Sequence, residues 1–198
     1  MENYYKQLPE GYRQAFVVDA KEKKTATLFT VFSFVLMAIP MVPILLNVGG
    51  LRAMIEETGR GRMIIAELVL LLSIVVYMVL HELVHGIAYK ALTHQKLTFG
   101  LTLTVAFCGV PDVYTSRKTA LIALVAPFLT FSAILIPLTI WLHGVNKLYF
   151  LFSGILFSIH FGGCVGDLYM TYVLLFRFRD PRTLMNDTGP KQTIYLPE

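Results

Sequence analysis

Charge is scarce in this chain of 198 residues. Asp, Glu, Lys and Arg together make up 15%, where a soluble domain carries about 25%. Hydrophobic residues make up 56%, and the mean hydropathy is +0.63. That composition argues against an ordinary soluble globule, and against disorder, which needs low hydrophobicity. Cysteine is scarce too. Cys108 and Cys164 are the only two, which makes no disulfide framework. No repeat and no low-complexity tract is visible. A cleavable signal peptide is not expected: the first apolar stretch outruns a signal core of about 7–15 residues, and no small-x-small site follows it. The net charge of +4 and pI near 9.1 come without the basic and aromatic interleaving of a nucleic-acid module, so no nucleic-acid partner is expected.

The missing charges are missing in blocks. None lies from Thr25 to Leu51 or from Thr119 to Asn146. Glu67 and Glu82 are the only ones from Met63 to Tyr89, and Asp167 the only one from Leu148 to Phe176. A bilayer-spanning helix needs roughly 20 mostly apolar residues. Four spans are therefore expected, near 26–48, 63–89, 119–142 and 149–176. Lys and Arg flank them unevenly: 13 fall in the alternate segments 1–25, 90–118 and 177–198, against 4 in the two other loops. The positive-inside rule then places both termini and the segment 90–118 in the cytoplasm. That segment reads as something other than a span. From Leu97 to Phe107 apolar residues occupy every second position, the period of a strand with one apolar face. The expected fold is an all-α polytopic membrane protein of four transmembrane helices, with a short β-strand or hairpin between the second and third. The expected segments are a cytoplasmic N-terminal stretch 1–25, a membrane domain 26–176 and a cytoplasmic tail 177–198, loosely ordered from 180 onward.

The second expected helix carries His81-Glu82-Leu83-Val84-His85. Histidines four apart share one helical face, one turn from each other, and can bind one metal. Glu82 beside them is placed to act as general base for a water. Zinc suits imidazole nitrogen and needs no redox chemistry. With five His and eight Glu in the chain, chance yields such a motif in roughly 0.5% of comparable sequences. Three ionisable groups inside a span are costly, at about 2.5–3.5 kcal/mol each, unless a metal or polar partners hold them.

Catalytic zinc takes three protein ligands and leaves one position open. Asp167 is the only carboxylate in the fourth helix. His160, Cys164 and Asp167 share one face of it, being four and three residues apart. Depth separates them. Counted at about 1.5 Å per residue from flanks at Lys90 and Arg177, His81 lies roughly 14 Å deep, Asp167 roughly 15 Å and His160 roughly 26 Å. Asp167 is therefore the expected third ligand, with His160 and Cys164 as neighbours of the site. Gly162, Gly163 and Gly166 are expected to let helices approach closely.

These residues carry a resemblance. His81-Glu82-Leu83-Val84-His85-Gly86, the following strand segment, Ala126-Pro127-Phe128 and Gly166-Asp167-Leu168 resemble a family of small bacterial membrane proteins classed as zincin peptidases. That family is in turn similar to the site-2 proteases, which cleave substrates inside the membrane. The resemblance spans about residues 60–176. Gly166-Asp167-Leu168 stands where the site-2 protease pattern has an Asn-Pro and then Leu-Asp-Gly. The resemblance implies an integral protein of the bacterial cell membrane: a zinc metalloprotease acting on membrane proteins or peptides in or beside the lipid bilayer. The strand 97–107 is expected to pair with an extended substrate segment or to pack as a lid. Two rival classes are weighed. One is a zinc-dependent membrane hydrolase of a non-peptide substrate; the other is a non-catalytic scaffold or ion transporter. Four helices are few to enclose a site, so a second copy of the chain is one way to complete it.

Overall fold

The computed structural model describes residues 2–49, 59–101 and 106–198. Among them are five helices: α1 Lys23–Val48, α2 Arg60–Thr93, α3 Arg117–His143, α4 Lys147–Gly163 and α5 Val165–Tyr172. Seven strands accompany them: β1 Tyr4–Tyr5, β2 Tyr12–Asp19, β3 Thr98–Leu101, β4 Ala106–Gly109, β5 Tyr114–Ser116, β6 Leu184–Asp187 and β7 Lys191–Pro197. Three helices, α1, α2 and α3, are long and apolar enough to cross a membrane. The fourth expected span is instead a bent pair, α4 followed by Val165–Arg177, with a 41° change of direction. The helices carry their large apolar side chains outward: Leu46 is 79% exposed and Ile140 69%. A helix whose apolar side chains face outward all round is solvated by lipid, not water.

The expectation of an all-α chain is wrong. Five strands form one antiparallel sheet in the order β1-β5-β6-β7-β2, and β3 pairs with β4 in a second. The tail is not loose from residue 180 onward. β7 pairs with β2 along Tyr12↔Pro197 to Asp19↔Lys191, and β6 pairs with β5 at Thr115↔Met185. The turn residues of the tail close a hairpin: Gly189 has φ 95°, and the Thr188 N–H donates to the Lys191 carbonyl at 3.0 Å. Gly serves there because φ in that range suits no side chain well. The expected strand 97–107 is the hairpin β3–β4; residues 102–105 of it lie outside the described residues, as does Arg52 of the loop that was counted for orientation.

The chain divides into two compact units. The first comprises Met1–Thr30, Val79–Pro127 and Gly166–Glu198. It holds both sheets. One core joins Val18, Met185 and Ile194 of the large sheet to Ala120 and Leu124 of α3 and Met170 and Leu174 of α5 and the turn that follows it. A second core joins Tyr89 of α2 to Val110, Val113 and Ala123. After α5 a π turn, Val173–Arg177, ends with the Phe178 N–H donating to the Val173 carbonyl. Carbonyls left over there are met by a side chain: Arg117 Nε donates to the carbonyls of Leu174 and Phe178 at 2.9 and 3.0 Å.

The second unit comprises Val31–Met78 and Phe128–Val165 and is helical. Ile44 and Val48 of α1, Met63 of α2, and Leu148, Phe150 and Leu151 of α4 form its core. Asn146 caps α4, accepting from the Leu148 N–H at 2.9 Å. Gly162 lies against Met37 and the Ser33 backbone, and the Ser33 hydroxyl donates to the Gly162 carbonyl at 2.8 Å. Of the three glycines expected to permit close approach, Gly162 is the one that does. A Cβ at Gly163 or Gly166 would meet its nearest neighbour at 3.7 Å, an ordinary contact.

Candidate metal centre

His81 and His85 lie on one face of α2, both 6% exposed, with ring centroids 5.0 Å apart. Asp167 sits in the first turn of α5. The break at Cys164 creates that turn: Gly162 and Gly163 are poor helix formers, and the helix restarts at Val165, two residues before the carboxylate. A carboxylate in a first turn also sits favourably against the helix dipole. His81 Nε2 and His85 Nε2 each lie 3.3 Å from the same oxygen, Asp167 Oδ2. The ligand atoms of these three residues lie within 4.8 Å of one another.

Does this set fit zinc? Ligands on a tetrahedral zinc with bonds of about 2.0–2.1 Å stand about 3.3 Å apart. Both nitrogen-to-oxygen separations have that length, which is long for a charge-assisted hydrogen bond of about 2.7–2.9 Å. The tautomer fits as well. His85 Nδ1 is 2.8 Å from the carbonyl oxygen of Ala123 on α3. A carbonyl only accepts, so Nδ1 carries the proton and Nε2 keeps its lone pair for a metal. The residues present suit the ion.

Glu82 is half-buried beside this pair, in the field of His81, His85, Asp167 and Asp187. Immediately after His85, Gly86 lets β3 reach α2: a Cβ there would stand 2.7 Å from Phe99 Cζ. Cys108 of β4 offers no thiolate. Burial, followed by Glu82 and Asp187, pushes its thiol up to about 12. Glu67 is exposed on α2.

His160 and Cys164 belong to the second unit. There His160 is fully buried. Its Nδ1 is 3.0 Å from the Tyr77 hydroxyl and its Nε2 is 3.1 Å from the Ser132 hydroxyl. Cys164 Sγ lies 3.6 Å from His160 Nδ1, and Phe128 stacks on the imidazole.

Sequence reasoning missed a second polar group in the first unit. Tyr89, one turn beyond His85, donates its hydroxyl to Asp187 Oδ2 at 2.7 Å. The Gly189 N–H donates to Asp187 Oδ1 at 2.8 Å, and Gln192 Nε2 to Oδ2 at 3.2 Å. Asp187 is 2% exposed, and burial raises its carboxyl to about 6 against the pull of those donors. Tyr89 was visible as the next residue on the histidine face of α2; Asp187 stood in a stretch that reads as turn.

A family model described as "putative zincin peptidase" matches residues 74–180. The chain belongs to that family, which is one of zinc metallopeptidases by its description. The match includes His81, Glu82, His85 and Asp167, and it ends before β6 and β7. No curated protein and no solved structure matches the chain.

Proposed function

We propose that this chain is an integral membrane protease that hydrolyses peptide bonds of membrane-associated polypeptides. The observation that supports it is the trio His81, His85 and Asp167 beside Glu82, on helices with lipid-facing surfaces. These three residues would hold the metal. Bound zinc supplies a Lewis acid for the scissile carbonyl and lowers the pKa of a water. Glu82 takes the proton of the attacking water and returns it to the leaving amine. The Ala123 carbonyl holds the His85 ring in register throughout. β3 presents an extended segment beside Gly86. Among the described residues its edge away from β4 pairs with no strand, so it can accept a substrate strand by backbone pairing. Helical substrates hide their carbonyls, and pairing of this kind holds them unwound. The positive-inside count supports cytoplasmic termini, and the family resemblance supports a bacterial cell membrane.

Glu82→Gln tests the reading. The variant should keep about one zinc per chain and lose turnover. In cells it should cause membrane proteins to accumulate uncleaved, relative to cells carrying the parent. A variant that keeps zinc and leaves the membrane proteome unchanged refutes a hydrolytic role.

A further inference from the structure

Ala123, whose carbonyl holds His85, stands four residues before Pro127, within a helix that runs unbroken from Arg117 to His143. In an α-helix the carbonyl of residue i accepts from the N–H of residue i+4. Proline has no N–H, and its ring pushes against the carbonyl four residues back. The Ala123 carbonyl is therefore the one carbonyl in this turn of α3 whose helical donor is missing by sequence. Its place is taken by His85 Nδ1, at 2.8 Å, with both residues buried. A freed carbonyl in a membrane helix needs another donor, because lipid provides none.

We propose that Pro127 is a positioning residue for the metal centre. By denying Ala123 its helical partner it supplies the acceptor that sets the His85 tautomer and aims Nε2 at Asp167. This rests on the zinc reading above. It also gives a physical task to the Ala126-Pro127-Phe128 motif, which the reaction does not otherwise use. The cost of an interior proline is borne by the helix, while the gain appears one helix away at the ligand.

Pro127→Ala tests it, because stability and metal binding should separate. The restored N–H draws the Ala123 carbonyl back to its own helix. The melting temperature of the metal-free protein should hold or rise, by up to about 12 °C if the whole cost of the proline is relieved. Zinc affinity, read by chelator competition in detergent, should fall by roughly tenfold, as it does when an outer partner of a ligating histidine is lost. Pro137→Ala restores an N–H elsewhere in α3 and should leave zinc affinity unchanged. Zinc affinity at the parental value in Pro127→Ala overturns the proposal. So does a loss of affinity that merely tracks a lower melting temperature, which makes Pro127 a packing residue. A second measurement needs no variant. The ¹⁵N spectrum of zinc-loaded parent protein should place the metal on His85 Nε2 and a hydrogen-bonded proton on Nδ1; the reverse assignment overturns the proposal even if Pro127→Ala fails to fold. Parent protein that binds no zinc removes the metallopeptidase reading itself, whereas a zinc-binding parent with an indifferent Pro127→Ala removes this inference alone.

Discussion

Removing Asp167 should dismantle the metal centre while sparing the fold. Both 3.3 Å separations that match a zinc tetrahedron end on the same oxygen, Asp167 Oδ2. Its deletion leaves two imidazoles one turn apart and no third ligand among the three residues. Four-ligand zinc sites bind with about 10–16 kcal/mol, or roughly 2.5–4 kcal/mol for each ligand. Asp167→Ala should therefore weaken zinc by roughly 10²–10³-fold on that scale. Asp167→Asn keeps the shape and one neutral oxygen and should fall between. His160→Ala should stay near the parent, since both ring nitrogens of His160 lie within hydrogen-bond distance of hydroxyls in its own unit. Chelator competition reads the affinities directly. Thermal unfolding gives an independent check. Zinc at 100 times its dissociation constant stabilises the folded parent by about 2.7 kcal/mol. For a chain of this length that is a rise of roughly 5–10 °C. The same zinc should leave Asp167→Ala nearly unmoved. Metal content that follows His160 and ignores Asp167 would refute both the ligand set and the geometry behind it.

Two further outcomes follow from other parts of the chain. Cysteines introduced at Gly144 and Lys118, both exposed, should label from opposite sides of the membrane, Lys118 from the cytoplasm; native Cys108 and Cys164 are buried and should stay silent, and labelling of both new sites from one side refutes the topology. The folded pKa of Asp187, about 6, stands above its ordinary 3.8, so its contribution to stability is full below pH 4 and is lost as pH rises through 6. The loss is about 3 kcal/mol. Asp187→Asn has no such titration. Whatever its offset, it should gain on the parent by roughly 6–12 °C in melting temperature between pH 4 and pH 8, and a constant difference refutes the assignment.

The helices and the histidine pair were legible because both are local. A span announces itself by about 20 residues without charge, and His81 and His85 share a face by spacing alone. The break at Cys164 had its signal in Gly162 and Gly163, but their spacing read as helix packing. Only Gly162 packs that way; together the two end α4 and start the turn that carries Asp167.

The large sheet was illegible for the opposite reason. β2 and β7 pair residues 12–19 with 191–197 across nearly the whole chain, and no pattern within either segment names the other. Alternation in β2 is broken by a register shift between Gln14 and Phe16, so its apolar residues fall on both faces when read at period two. β5 and β6 are three and four residues long, too short for a period to show. The Asn186-Asp187 and Gly189-Pro190 pairs read as a loose tail because turn residues look alike in ordered and disordered chain. What separates the two is the hydrogen-bond partner. Asp187 finds Tyr89, which the sequence puts 98 residues away. The Ala123 carbonyl is the contrasting case. It too meets a distant partner, but the reason it is free, a proline four residues on, is written beside it. A missing backbone donor can be read from sequence; the group that takes its place needs the fold.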